Sequence, residues 1–93
     1  MTVLEFVEKA QIFCTQLNGS ITSWYRTEEH NRKVGGAKRS AHLKWLAVDI
    51  IYDVPFKRVY RQEIANSLGL KIIDEGDHDH LMPRDWGRTI NGY

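Results

Sequence analysis

The sequence predicts an α+β fold, a small and mostly antiparallel sheet with helices packed on it. Three observations predict it. Val3, Phe6, Val7, Ala10, Phe13, Cys14 and Leu17 open the chain with apolar residues at helical spacing. Short β-branched or apolar runs bounded by Gly, Asn, Asp and Pro follow at 20–24, 45–52, 70–73 and 79–82. Helical patterns fall early and strand patterns late, which is the α+β arrangement.

Element by element, Thr2 and Glu5 form a capping box at the head of the first helix. Asn18-Gly19, a pair tolerant of positive φ, ends it. Residues 20–24 read as a strand. Thr27 caps a short second helix, TEEHNRKV, whose first turn holds Glu28 and Glu29 where the helix dipole favours them. Gly35-Gly36 stops it, and residues 37–44 form a basic loop. Residues 45–52 are continuous enough in apolar character for a central strand. Asp53-Val54-Pro55 then turns the chain into a third helix with Phe56, Val59, Tyr60, Ile64 and Leu68 inward and Gly69 as its cap. Residues 70–73 and 79–82 are the last strands, around Glu75-Gly76, and 83–93 form a tail anchored by Trp86. There is no repeat, low-complexity tract or linker, so residues 1–93 read as one domain.

Bulk properties narrow the function classes. A chain of 93 residues buries roughly 60–65% of its unfolded surface, enough for one modest core. The 42% hydrophobic and 27% charged composition is that of a soluble globule. The net charge of +1 names no partner. Arg26, Arg32, Lys33, Lys38, Arg39 and Lys44 make a mildly basic stretch, and Asp74, Glu75, Asp77 and Asp79 an acidic one. Both read as solvated surface, and without interleaved aromatics or a helix-turn-helix no nucleic-acid partner is expected. One cysteine excludes an intramolecular disulfide and a CxxC motif, and Cys14 reads as a small buried hydrophobe. No stretch reaches the ~20 apolar residues of a membrane span. MTVLEFVEKA lacks the basic start of a signal peptide. A monomer made in the cytoplasm is expected, one that another agent must carry to any target outside the membrane.

Asp49 interrupts the apolar run at 45–52. A carboxylate among Leu46, Ala47, Val48, Ile50 and Ile51 costs several kcal/mol unless it is paired or binds a metal, on the order of the burial penalty for one ion. It is therefore compensated or part of a site. His42 precedes it in an H-x6-D spacing, and His78 and His80 lie in D-H-D-H at 77–80, while His30 reads as a solvated surface histidine. On a strand His78 and His80 share one face and Asp79 takes the other. If the His42 loop lies over the end of the Asp49 strand, and that strand neighbours 78–82, then His42, Asp49 and His80 converge. Two imidazoles and a carboxylate suit zinc, with a fourth position left for water. The plainer alternative is that His42 caps a strand and Asp49 pairs with Arg26 or Arg39.

Longer stretches read together narrow these alternatives. S-W-Y-R-T at 23–27, H-N-R-K-V-G-G-A at 30–37, S-A-H-L-K-W-L-A-V-D-I at 40–50 and E-G-D-H-D-H at 75–80 occur in that order. The chain thereby resembles the M15 family of zinc peptidases, the D-alanyl-D-alanine carboxypeptidase and L,D-endopeptidase group. That family's pattern runs S-G-Y-R-S, N-x-x-V-G-G and S-x-H-x-x-G-x-A-x-D, then D-x-x-H or E-x-x-H. The nearest subgroup looks like the small M15 domains of phage endolysins and prophages. The resemblance implies a hedgehog/D-Ala-D-Ala-peptidase-like fold and a Zn2+ cofactor held by His42, Asp49 and His80. It implies that Asp77 is the catalytic acid/base, that Arg26 holds the substrate carbonyl or carboxylate and stabilises the oxyanion, and that Ser40 supports the ligand loop. Trp45 and Trp24 depart from the pattern by standing where it has glycines, placing large rings at the site, with Trp45 against substrate. His78 replaces an aromatic residue and gives an H-x-H similar to that of lysostaphin-type peptidases, so it is a second candidate base. Strict alternation puts Asp77 on the face opposite His80, so it requires a kink or bulge after Gly76.

The expected function is zinc-dependent hydrolysis of an amide in peptidoglycan stem peptides, by a carboxypeptidase or endopeptidase linked to phage or prophage lysis. The alternative is a zinc-stabilised, non-catalytic peptide- or protein-binding module on the same fold, which the two tryptophans favour.

Overall fold

The computed structural model of the chain describes residues 1–24, 27–35 and 45–85. Its elements are α1 (Val3–Leu17), β1 (Gly19–Ser23), α2 (Glu28–Lys33), β2 (Val48–Tyr52), α3 (Arg58–Ser67), β3 (Leu70–Asp74) and β4 (Asp79–Pro83). The four strands form one sheet in the order β1-β2-β4-β3, with every pairing antiparallel. This is the α+β architecture expected from the sequence, with β2 in the interior.

Helix α1 forms as its capping residues dictate. Thr2 accepts from the Glu5 amide at 3.1 Å and the Glu5 carboxylate accepts from the Thr2 amide at 3.1 Å. Asn18, at φ 50°, ends the helix in the left-handed region. Phe6, Ala10, Phe13 and Leu17 are its buried stripe, while Val3 in the first turn is 41% exposed. Gly19 then brings β1 hard against the sheet. A Cβ there would lie 2.8 Å from Ile50 Cγ2, so only glycine lets the strand start directly below the helix.

The stripe of α1 packs with Val48 and Ile50 of β2, Ala65 of α3, Leu70 and Ile72 of β3 and Leu81 of β4. These strand residues share one face because they pair across the ladders, Val48 with Leu81 and Ile72 with Leu81. Period-two alternation sends Asp49, Ile51, His80 and Met82 to the second face, where a smaller cluster of Ala47 and Met82 packs with Leu46 and Ile73. The core thus lies between the sheet and α1 with α3, and the second face is left for other chemistry.

Four expectations need correction. The strand at 45–52 begins only at Val48, because Trp45 turns the chain at φ 63°. The first strand starts at Gly19 and ends before Trp24. The third helix starts at Arg58, after Lys57 in extended backbone with no side-chain cap. Its inward stripe is Arg61, Ile64, Ala65 and Leu68, so Val59 and Tyr60, expected inward, are 69% and 45% exposed. An arginine holds the first place in that stripe, which is why apolar periodicity alone misplaces it. The basic loop at 37–44 and the Trp86 anchor lie outside the described residues.

Candidate functional site

The site grows from the β2–β4 ladder. Asp49 and His80 are direct cross-strand partners, and the second face carries both. His80 Nδ1 lies 3.2 Å from Asp49 Oδ1. The two side chains differ in exposure, 3% for His80 and 15% for Asp49. This revises the picture of Asp49 sunk among apolar neighbours. Val48 and Ile50 flank it in sequence but point into the core, so the carboxylate meets an imidazole and a cleft instead.

His78 joins them at the end of the β3–β4 hairpin. Its Nε2 lies 4.0 Å from Asp49 Oδ1, and its Nδ1 lies 2.6 Å from Asp77 Oδ1. His78 and His80 both reach Asp49 while Asp79 faces the core, as strand alternation requires. Burial by itself would lower the His78 pKa. The hydrogen bond to Asp77 and the negative charges of Asp49, Asp77 and Glu75 outweigh it and hold the imidazole above its ordinary value. Asp77 is not governed by alternation at all, because β4 begins at Asp79 and Gly76 turns the loop at φ 95°. Its side chain is 91% exposed. An open cleft of about 360 Å³ runs beside this group, lined by Thr22, Asp49, Ile51, Asp77 and His78.

An imidazole and a carboxylate are donor types that zinc accepts. Two donors on one tetrahedral zinc at ~2.0–2.1 Å stand roughly 3.3 Å apart, close to the 3.2 Å between His80 Nδ1 and Asp49 Oδ1. Among the described residues no three His, Cys, Asp or Glu side chains form a set that could hold a metal. His42, the third expected ligand, lies outside the described residues, as do Arg26 and Ser40.

The departures at the two family glycines meet each other. The Trp24 and Trp45 rings stand edge to face at 5.5 Å and 82°, and Trp24 Nε1 donates to the Trp45 carbonyl at 3.0 Å. Trp45 is 46% exposed. Its backbone occupies the left-handed region, which glycine adopts without strain.

Beneath the site lies a polar network that the sequence reading missed. Asp79 is 1% exposed. It accepts from the Tyr52 hydroxyl at 2.6 Å and from Arg61 Nη1. Arg61 Nη2 donates to Asp74 at 3.3 Å and Nε to the Phe56 carbonyl at 3.1 Å. Burial, then the hydrogen bond and charge of Asp79, push the Tyr52 phenol far above its usual range. The signal for Arg61 was its place three, four and seven residues before Ile64, Ala65 and Leu68. Asn31, the asparagine of H-N-R-K-V-G-G, is likewise buried at 3% on an otherwise exposed α2.

No curated protein and no solved structure matches the chain. The model of the family described as Peptidase M15 matches residues 6–81, from the first buried turn of α1 into β4 and across every sequence block that carries the resemblance. No helix among the described residues is long and apolar enough to cross a membrane. With the match spanning most of its length, the chain belongs to the peptidase M15 family.

Proposed function

We propose that the chain is a zinc-dependent peptidase hydrolysing an amide bond in peptidoglycan stem peptides, as a carboxypeptidase or an endopeptidase. The observation that carries this reading is the Asp49–His80 pair, whose donor atoms sit 3.2 Å apart on adjacent strands beside an open cleft. In the proposal His42 joins them to hold the ion. Zinc, when bound, supplies Lewis acidity towards an amide carbonyl and lowers the pKa of a water ligand.

The side chains around the pair have their own tasks. Asp77 stands at the cleft rim in contact with solvent, so it can take a proton from the attacking water and deliver it to the leaving amine. His78 is the second base. Its Nδ1 is engaged by Asp77 while Nε2 faces Asp49, so a proton accepted at Nε2 leaves an imidazolium stabilised by the Asp77 carboxylate. Arg26 is assigned to the carbonyl oxygen, where a guanidinium offsets the developing negative charge. Ser40 supports the ligand loop, and Trp45 forms a wall against the substrate. Delivery to the wall by another agent, in a phage or prophage lysis system, completes the proposal.

Mass spectrometry of purified peptidoglycan incubated with the zinc-loaded protein tests it. Discrete peptides should appear, vanish on chelation and return with zinc. Asp77→Ala should release them roughly 10²–10⁴-fold more slowly, the usual contribution of a positioned proton carrier. Intact peptidoglycan after incubation with metal-loaded protein would refute turnover. The Trp24–Trp45 contact favours a second reading, a zinc-stabilised module that holds a wall peptide without cutting it. Retention of stem peptide without products identifies that case.

A further inference from the structure

The β3–β4 hairpin carries a charge conflict at its neck. Asp74 and Asp79 are paired directly across the ladder, and antiparallel partners project to the same face, where like charges repel. One guanidinium resolves the conflict. Arg61 of α3 reaches Asp79 with Nη1 and Asp74 with Nη2, while its Nε is anchored on the Phe56 carbonyl. Its guanidinium carbon also lies 5.6 Å from the centre of the Tyr52 ring. The grip continues into the loop. Asp74 gives its second oxygen to the Gly76 amide at 2.8 Å, and the Glu75 amide donates to the His78 carbonyl at 3.0 Å.

Between the two gripped carboxylates lie Glu75, Gly76, Asp77 and His78, and His80 follows one residue after the second. We propose that Arg61 is a positioning residue, bridging Asp74 and Asp79 at the hairpin neck so that the loop holds Asp77 and His78 beside Asp49. It touches none of the proposed metal ligands, for its contacts lie on the core face of the sheet and theirs on the second face. A buried ion pair is about neutral for stability beside an apolar replacement of similar volume. Such a pair at this neck is better explained by the geometry it fixes. Lysine could supply the charge but not the fork that spans two carboxylates.

The inference rests on the proposed roles of Asp77 and His78, and its test separates the two. Wild type, Arg61→Met, Arg61→Lys and Arg61→Met with Asp74→Asn are compared as zinc-loaded full chains. Three quantities are read: stem-peptide hydrolysis, bound zinc and amide hydrogen exchange. Arg61→Met should lower kcat about a hundredfold, the scale of an ångström-sized misplacement, with KM changed by less than about twofold. Zinc should remain bound, and exchange should quicken at residues 75–78 more than in α1 or β2. Asp74→Asn in that background removes one of the facing charges and keeps an acceptor for the Gly76 amide, so it should recover part of kcat and of the protection. If Arg61→Met does not fold, Arg61→Lys carries the same comparison with its charge retained. Equal kcat and equal loop protection in the variants overturn the proposal, as does a loss spread evenly over every amide. Should wild type cleave no stem peptide, the peptidase reading fails while loop exchange still decides whether Arg61 holds the hairpin.

Discussion

Trp45 shows how one backbone angle links a sequence departure to the shape of the site. A non-glycine residue in the left-handed region carries roughly 1–2 kcal/mol of strain, and the edge-to-face contact with Trp24 returns roughly 0.5–1.5 kcal/mol. The two nearly cancel, which explains how a tryptophan is tolerated at φ 63°. Trp45→Ala keeps the strain and loses the ring, whereas Trp45→Gly loses both. The glycine variant should therefore be more stable than the alanine variant by about 1 kcal/mol, as read from urea unfolding. Equal stabilities would mean that the backbone angle is not what the family's glycine serves.

At the scale of elements, the hairpin neck makes stability depend on acidity. The Gly76 amide first, and Arg61 second, hold the Asp74 carboxyl below its ordinary value. A depressed carboxylate stabilises the fold above its unfolded pKa, and that contribution is lost as pH falls through the folded value. The urea midpoint of wild type should therefore decline as pH falls through and below the ordinary carboxylate range, and Asp74→Asn should flatten part of that decline. How legible an element was followed from whether its determinants are local. The capping box and stripe of α1 lie within one stretch of chain, and the helix forms from Val3 to Leu17 as that stretch dictates. The inward face of α3 was misread because a partly buried guanidinium partnered by two aspartates looks, in sequence, like a surface residue. Asp49 and His80 were legible as residue types at telling positions. Their direct opposition is a fact of register, set by the alternation of core residues on strands about thirty positions apart, and Arg61 beneath them was marked only by its helical spacing to Ile64, Ala65 and Leu68.

For the whole molecule, the sheet divides its labour. One face packs on α1 and α3 to make the core, and the second presents Asp49, His80 and the cleft. A ligand bound only by the folded state stabilises it by about 2.7 kcal/mol at a hundred times its dissociation constant, and in a domain of this size each kcal/mol moves the midpoint by roughly 4–8 °C. The proposed zinc site therefore predicts a melting temperature about 10–20 °C lower after chelation. Coincident calorimetric scans with and without chelator would remove Asp49 and His80 as ligands.

The Asp49–His80 opposition also bears on how the chain avoids misassembly. Sliding β4 by a single step along β2 would set Asp79 or Leu81 against Asp49 and turn His80 in among the phenylalanines. Either slip presents an ion with an aliphatic group or a second acid in place of an imidazole. The zinc ion proposed for this site, which accepts nitrogen and oxygen donors together, would thus favour the native alignment over either slip.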